Sequence, residues 1–275
     1  MPTETVYGLA ADATDGIAVA GIYAAKGRPS FNPLIVHVPD LATAERIAIF
    51  NPVARDLAQR FWPGPLTLVL PLRPDSGIAS LATAGLQTIA LRVPAHPAML
   101  ALLAACGTPL AAPSANASGS ISPTCAAHVL KSLGGRIPMI VDAGSTSLGL
   151  ESTIVAVDDD GALRLLRPGP IDLGLTLSDS GAIEAPGQLA SHYAPAKPLR
   201  LDATSAGQDE WLIGFGGIGG DATLSASGDL VEAAAQLFGA LHDADASAPP
   251  RIAVAPVPEI GLGAAINDRL RRASA

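Results

Sequence analysis

The chain has 275 residues, which is enough for one large domain or for one large and one small domain. Its net charge of −8 argues against a broad surface that follows the phosphates of a nucleic acid. The two cysteines, Cys106 and Cys125, match no zinc or redox spacing and favour a reduced, cytoplasmic compartment. No apolar run reaches the ~18 residues of a membrane span, and the basic start and apolar core of a signal peptide are absent.

The first two thirds of the sequence alternate between helical and strand patterns. Apolar residues at helical spacing predict helices over residues 16–25, 41–50, 52–61, 97–105 and 126–133, with Asp40 and Asn51 as N-caps. Short, continuous apolar runs predict buried strands over residues 33–38, 66–71, 88–93, 110–112 and 138–142. Residues 153–157 and 162–167 are predicted to form a hairpin. The alternation indicates an α/β domain over residues 1–185.

The last third changes character. Residues 186–198 contain the string HYAPAKP, which is too aromatic and too rich in proline for a passive tether. Long ordered connections are often functional, so this linker is predicted to close as a lid over a site, although it could also merely space two domains. Beyond it, strands over residues 198–202, 211–215 and 251–255 and helices over residues 230–241 and 263–272 predict a small three-layer α/β domain, residues 199–275.

Two polar clusters stand out in a chain of which only 15% of residues are charged. In the first, Lys26 and Arg28 flank a glycine, and Pro29 and Pro33 stiffen the loop that follows. The second is the hydroxyl-rich segment 114–122, which offers hydroxyls and backbone N–H groups to an anion. Side by side, the clusters would form a cationic pocket for a phosphate or carboxylate. The alternatives are two solvated cations at the end of a helix and a flexible loop.

Arg92 and His37 lie within runs that otherwise read as buried strands. An arginine there needs an anionic partner if it is buried, but the alternation of a strand also allows it to point outward. A lone strand histidine is more often a satisfied core residue than a ligand. Thr3 and Thr5 alternate along an extended segment, so they would share one face.

Taken in order, seven segments resemble the motifs of the threonylcarbamoyl-AMP synthases, a YrdC-like family: PTETVYGLAAD, KGRPSFNPLIVHV, WPGPLTLVLP, IALRVPAHP, PLAAPSANASGSISPT, ESTIVAV and LRPGPI. HYAPAKP and the region after it resemble the linker and C-terminal domain of the longer, two-domain subtype. The resemblance is strong through about residue 200 and weaker beyond it. It implies a twisted mixed sheet with helices. In the family a helix and a strand precede the PTET segment, so this chain is expected to begin late.

The resemblance implies an enzyme of the nucleotidyltransferase class. Family members condense L-threonine, bicarbonate or CO2, and ATP into threonylcarbamoyl-adenylate, and they release pyrophosphate. Mg²⁺ is expected to accompany ATP, without a dedicated metal site in the protein. The product serves downstream transferase proteins that modify tRNA beside the anticodon, so direct tRNA binding is expected to be weak or absent.

The resemblance also assigns roles to individual residues. It implies that the catalytic set is Lys26, Arg28, Ser114 and Asn116. The set implied for threonine is Thr5, His37, Arg92 and Ser152. The set implied for ATP is Arg28, Asn32, Thr88, Ser114, Ser122, Arg167 and, from the linker, Tyr193. The sequence offers no obvious covalent nucleophile, so catalysis is expected to rest on positioning and on stabilisation of charge.

Two other functions compete with this interpretation. One is an RNA- or nucleotide-binding module of the same fold without synthase activity, against which the net charge of −8 and the 4% aromatic content argue. The other is a carbamoyltransferase-type domain that uses carbamoyl phosphate. That form belongs to larger chains with zinc-finger cysteines, and this chain has only two cysteines.

Overall fold

Two β-sheets organise the chain in the computed structural model, which describes residues 1–178, 181, 183–188 and 191–275. Within these ranges the first sheet has seven strands: β1 (Ala11–Asp12), β2 (Ile35–His37), β3 (Leu66–Pro71), β4 (Thr88–Arg92), β5 (Leu110–Ala111), β6 (Thr153–Val157) and β7 (Leu163–Arg167). Their order across the sheet is β1-β5-β2-β4-β3-β6-β7. β2 pairs with β4 and β3 with β6 in parallel, whereas the other pairs are antiparallel. The predicted mixed sheet is therefore confirmed.

Five helices pack around this sheet in the described part of the first domain. They are α1 (Gly16–Lys26), α2 (Leu41–Ile47), α3 (Pro52–Phe61), α4 (Pro97–Cys106) and α5 (Ala126–Leu133). Asp40 accepts a hydrogen bond from the Thr43 N–H and Asn51 accepts one from the Ala54 N–H, so both predicted N-caps are confirmed. Leu66, Leu68 and Leu70 on one face of β3 and Thr67 and Val69 on the other are all buried, as expected for a central strand covered on both faces.

In the first domain, one predicted helix and one predicted strand differ most from the structure. The second helix ends at Ile47 rather than at residue 50, because Ala48 is extended and bridges Leu72 before Asn51 caps the next helix. The strand predicted over residues 138–142 does not form. No strand of the described ranges pairs with this segment, so its backbone has no ladder to join.

The second domain is built on four strands, β8 (Leu199–Arg200), β9 (Glu210–Gly214), β10 (Ala222–Thr223) and β11 (Arg251–Val254), in the order β10-β9-β11-β8. All of their pairings are parallel. The helices α6 (Leu230–Ala246) and α7 (Leu262–Ala273) share one core with Ile213, Ile252 and Val254, while Leu212 and Ala253 pack with Ala203 and Ile218 on the other side. The predicted C-terminal α/β domain is thus present. No helix in the described ranges is both long and apolar enough to cross a membrane.

A glycine marks close contact between the two domains. Gly149 lies just before β6 and has a φ of 68°, in the left-handed region that favours glycine. A Cβ atom there would lie 2.5 Å from the carbonyl oxygen of Ala234 and 2.6 Å from the Cα of Ala235, both in α6. The backbone of α6 therefore rests directly on the loop that leads into β6.

Candidate active site

A small cavity lies between the first domain and the linker, and its volume is about 40 Å³. The last residues of β2, β4 and β7, loops around the sheet and the linker bring eight of the predicted site residues to its wall: Thr5, Arg28, His37, Arg92, Ser114, Ser152, Arg167 and Tyr193. The other five predicted residues do not line it: Lys26, Asn32, Thr88, Asn116 and Ser122. Segments that are far apart in the sequence thus meet at one place.

Strand register places His37 beside Arg92. β2 and β4 run parallel and pair these two residues directly. The His37 ring is 2% exposed, and neither of its nitrogens has a side-chain or backbone partner among the described residues. Burial, and then the charge of Arg92, lower the pKa of His37 to about 3. The imidazole is therefore neutral at pH 7 and free to hydrogen-bond a ligand.

Arg92 has the anionic partner that a buried arginine requires. Its Nη2 donates to Glu4 Oε1 at 2.6 Å, its Nη1 to Thr5 Oγ1 at 3.0 Å, and its Nε to the carbonyl oxygen of Gly64 at 3.1 Å. The outward-facing alternative for Arg92 is wrong, since the residue is 3% exposed. The sequence reasoning missed Glu4, although the demand of a buried Arg92 for an anion was a signal for it.

Arg167 and Ser152 are joined by hydrogen bonds across the β6–β7 hairpin. Arg167 donates from Nη2 to Ser152 Oγ at 3.1 Å and from Nε to the Ser152 carbonyl oxygen at 3.0 Å. Ser152 Oγ also lies 2.7 Å from Thr67 Oγ1. Ser152 was predicted to bind threonine and Arg167 to bind ATP, so the two predicted sets meet at this contact.

Arg28 is a buried cation that donates hydrogen bonds to two backbone carbonyls. Its Nη2 donates to the Pro33 carbonyl oxygen at 2.9 Å and its Nε to that of Asn32 at 3.2 Å. Burial lowers the pKa of Arg28 to about 10, so it remains charged at pH 7. Asn32 Oδ1 is buried without a partner among the described residues. Arg28 is 8% exposed, which contradicts the solvated alternative.

Lys26 holds the hydroxyl-rich loop rather than facing the cavity. Its Nζ donates to the carbonyl oxygens of Ser114 and Asn116, both at 2.5 Å. The Asn116 side chain donates onward to the carbonyl oxygens of Ala117 and Ser120. Lys26 is 3% exposed, so it is not a solvated cation. Burial, and then the charge of Arg28, lower the pKa of Lys26. Lys26 and Asn116 therefore shape the loop that presents Ser114.

Thr88 and Ser122 lie away from the cavity for different reasons. Thr88 begins β4, whereas Arg92 ends it, so about 13 Å of extended backbone separates them. Ser122 lies behind the wall, where its hydroxyl donates to Glu151 Oε1 at 2.5 Å. Glu151 itself lines the cavity.

Residues of the linker close the cavity. His192, Tyr193 and Gly187 belong to its wall. A Cβ atom on Gly187 would lie 2.8 Å from Arg167 Cδ and 3.0 Å from the Tyr193 hydroxyl, so the chain passes close to both side chains. Tyr193 is 1% exposed, and its hydroxyl has no hydrogen-bond partner among the described residues. Residues 189 and 190 of the predicted linker lie outside the described ranges.

Charge is distributed unevenly around the cavity. Arg92 is neutralised by Glu4, whereas Arg28 and Arg167 form no ion pair among the described residues. The two acidic side chains at or beside the wall, Glu4 and Glu151, are each paired with an arginine. In the described ranges, no group of three or more His, Cys, Asp or Glu residues is placed to hold a metal ion.

Comparison with known proteins agrees with this architecture. A family model described as "Telomere recombination" matches residues 1–169, and one described as the C-terminal domain of threonylcarbamoyl-AMP synthase matches residues 171–275. The threonylcarbamoyl-AMP synthase of Bacillus subtilis is 42% identical, over 100% of this chain and 88% of its own length. The chain belongs to the threonylcarbamoyl-AMP synthase family.

Other threonylcarbamoyl-AMP synthases and solved structures extend the match. The synthase of Pyrococcus abyssi is 39% identical, over 100% of this chain and 89% of its own length. The crystal structure of P. abyssi Sua5 complexed with L-threonine aligns with a TM-score of 0.90 at 38% identity, over 99% of this chain and 89% of that one. The crystal structure of Escherichia coli YciO, at 24% identity and a TM-score of 0.56 over 62% of this chain, shares the fold.

Proposed function

We propose that this chain condenses L-threonine, bicarbonate or CO2, and MgATP into threonylcarbamoyl-adenylate and pyrophosphate in the cytoplasm. The observation that carries the proposal is a difference among three arginines that line one cavity: Arg92 is paired with Glu4, whereas Arg28 and Arg167 have no carboxylate partner among the described residues. On this basis we divide the cavity into two ends. The neutral Arg92–Glu4 pair beside His37 forms one end, which we name the threonine end. Arg28 and Arg167, beside Ser114 and Tyr193, form the other, which we name the nucleotide end.

The threonine end suits a zwitterion. Arg92 presents a guanidinium to the carboxylate of threonine, and a fork of two N–H groups matches that carboxylate in geometry. The pairing with Glu4 keeps this end close to neutral, so that an ammonium group is not repelled. Thr5 and neutral His37 offer further polar contacts to threonine. Ser152, which accepts a hydrogen bond from Arg167, lies between this end and the other.

The nucleotide end suits a polyanion. Arg28 and Arg167 both line the cavity, and neither is neutralised by a carboxylate among the described residues. Ser114 adds a hydroxyl, and the unpartnered Tyr193 hydroxyl faces the same region. Asn32, Ser122 and Thr88 are assigned to ATP by family resemblance. Of these, Asn32 has a free buried oxygen beside Arg28, and Ser122 acts behind the wall.

The proposed reaction needs no covalent intermediate on the protein. The neutral amine of threonine adds to CO2 and releases one proton to solvent, which gives a carbamate. A carbamate oxygen then attacks the α-phosphorus of ATP, the bond from that phosphorus to the bridging oxygen breaks, and pyrophosphate leaves with its electron pair. Mg²⁺ enters with ATP as part of the substrate. Arg28 and Arg167 offset the charge on the phosphates, and the enclosed cavity keeps water from the carbamate and the mixed anhydride.

The linker is proposed to act as a lid. His192 and Tyr193 of the linker form part of the wall of the cavity, whose volume is about 40 Å³, so the linker in this position restricts the space for ATP and threonine. The linker therefore opens to admit the substrates and closes again over them. Limited proteolysis is expected to cut residues 186–198 more slowly when ATP and threonine are present. Cleavage at the same rate with and without both ligands would leave the linker as a spacer.

One assay tests the function directly. The chain is incubated with ATP, Mg²⁺, bicarbonate and L-threonine, and pyrophosphate is measured. Omission of threonine is expected to abolish release, because no carbamate then forms. Release at an equal rate without threonine would show an ATP-cleaving activity of another kind.

The product is proposed to pass to downstream tRNA-modifying transferase proteins. The net charge of −8 supports transfer between proteins without strong binding of tRNA by this chain. A gel-shift titration with tRNA, with and without ATP, is expected to show no tight complex. A tight complex without pyrophosphate release would favour an RNA-binding module instead.

A further inference from the structure

The last helix, α7, places the side chain of Arg269 behind the cavity wall. Arg269 is 0% exposed, although it lies in the second domain and the cavity is built mostly by the first. Its Nε donates to Glu151 Oε2 at 2.9 Å, and its Nη1 donates to the carbonyl oxygen of Pro168 at 2.9 Å. Both partners belong to the first domain, at the two ends of the β6–β7 hairpin.

The same arginine also contacts the linker. The Arg269 guanidinium carbon lies 5.3 Å from the centre of the Tyr193 ring, within range of a cation–π interaction. The backbone of the linker is fastened nearby, since the His192 N–H donates to the Arg272 carbonyl oxygen at 3.1 Å. Tyr193 itself has a φ of 65°, a conformation that costs free energy unless its surroundings hold it.

Glu151 connects Arg269 to the nucleotide end. One carboxylate oxygen of Glu151 accepts from Arg269, and the other accepts from the Ser122 hydroxyl. Burial would raise the pKa of Glu151, but the charges of Arg269 and Arg167 lower it below its ordinary value. Glu151 thus stays charged inside the protein, and its orientation depends on Arg269.

We propose that Arg269 is a positioning residue for the nucleotide: it fixes the Glu151 carboxylate and the Tyr193 ring and thereby makes the second domain part of the ATP site. The inference rests on the proposed function, but the affinity for ATP can be measured separately from the rate of the reaction. Arg269 does not line the cavity, so it acts through its two partners. Asp268 accepts a hydrogen bond from Arg269 Nη1 at 2.8 Å and holds the guanidinium in place.

The test uses the full chain with two changes at Arg269 and a control on the same helix. Arg269→Met removes the charge and the fork, and Arg269→Lys keeps the charge but loses the fork. Arg271→Met is the control, because Arg271 makes an exposed ion pair with Glu259 on the surface of α7. The dissociation constant for ATP is measured by calorimetry, and the Michaelis constants for ATP and threonine by pyrophosphate release.

Arg269→Met is expected to weaken ATP binding roughly tenfold, about what one charge-assisted hydrogen bond contributes. The Michaelis constant for threonine is expected to change less than twofold. Arg269→Lys is expected to restore part of the affinity, and Arg271→Met to behave like the unaltered chain. Equal losses for ATP and threonine, or unchanged ATP affinity in both variants, would overturn the positioning role.

A double-mutant cycle keeps the proposal testable if Arg269→Met folds poorly. Glu151→Gln removes the charge that Arg269 compensates, so the pair Glu151→Gln and Arg269→Lys is compared with each single change. Non-additive effects on ATP affinity are expected, and additive effects would contradict the proposal. If the unaltered chain binds ATP but releases no pyrophosphate, the proposed function fails while calorimetry still decides the role of Arg269.

Discussion

The two ends of the cavity differ in how their arginines are neutralised. At the threonine end, Arg92 is paired with Glu4 at 2.6 Å inside the protein. At the nucleotide end, Arg28 and Arg167 donate to carbonyls and a hydroxyl and form no ion pair among the described residues. A buried cation without a carboxylate remains available for an anionic ligand, whereas a buried ion pair suits a ligand with no net charge. Under the proposed function, this distribution of carboxylates would direct zwitterionic threonine to one end and the ATP polyanion to the other.

Arg28→Ala tests the nucleotide end and is expected to have the largest effect. Removal of a preorganised donor to the phosphates should lower kcat/KM by about 100-fold, and the Michaelis constant for ATP should rise more than that for threonine. Steady-state pyrophosphate release measures both constants. Arg60→Ala, which alters an exposed arginine on α3, is the matched control and should leave both unchanged. A larger rise for threonine would assign Arg28 to the other end.

Lys26→Met tests whether Lys26, which lies near the nucleotide end, contacts the phosphates or only stabilises the loop. The change leaves the buried carbonyls of Ser114 and Asn116 without their donor, so the free energy of unfolding should fall by about 2 kcal/mol. Urea unfolding measures this loss. Lys131→Met, at an exposed position of α5, should be neutral. A stable Lys26→Met protein that has lost activity would show that Lys26 acts on the phosphates and not on the loop.

The pH dependence of stability tests the buried histidines, His37 at the threonine end and His192 in the linker. Burial lowers the pKa of each to about 3, from an ordinary 6.5. Between these values the unfolded chain binds protons that the folded chain does not, so stability should be constant above pH 6.5 and fall below it. At pH 5 each histidine should lower the free energy of unfolding by on the order of 2 kcal/mol relative to pH 7. Urea unfolding at both pH values measures this. His192→Gln should remove part of the fall, and an unchanged fall would mean that His192 is not involved.

Arg92→Lys tests the threonine end and is expected to have the smallest effect. It should act on threonine, whereas Arg28→Ala should act mainly on ATP. It keeps the charge beside Glu4 but loses the fork, so the Michaelis constant for threonine should rise by roughly tenfold while that for ATP changes little. Calorimetric titration with threonine provides a second measurement. An equal rise for both substrates would remove the distinction between the two ends.

Local patterns in the sequence predicted most helices and strands, but they did not predict which side chains contact each other in the folded chain. His37 and Arg92 were each candidates, yet only the parallel register of β2 and β4 makes them neighbours. Lys26 was predicted to face an anion. Its burial agrees with a functional position, but its ammonium group donates to carbonyl oxygens 88 and 90 residues away. A local sequence pattern cannot predict contacts at that separation.

Two residues missed by the sequence reasoning carried signals of different strength. Glu4 lies in the PTET segment, and a buried Arg92 required an anion, so a search for its partner would have found it. Arg269 lies in the predicted terminal helix, among charged residues near the end of the chain, and the sequence analysis assigned it no role. It shares the buried side of α7 with Ile266, Leu270 and Ala273, and the spacing of those apolar residues placed it there. The strand wrongly predicted over residues 138–142 had the right composition, but strand formation also requires a neighbour.

The contact of Gly149 with α6 has a mechanical consequence. Because the backbone of α6 contacts Gly149 directly, a shift of α6 at this point would require the loop before β6 to move with it. In the proposed opening of the linker, residues 191–194 would move away from the site. The N–H groups of His192 and Ala194 hold this part of the linker to the carbonyl oxygens of Arg272 and Gly119. Its release would break these hydrogen bonds and would also withdraw the Tyr193 ring from the core of the second domain, where it packs against Phe238.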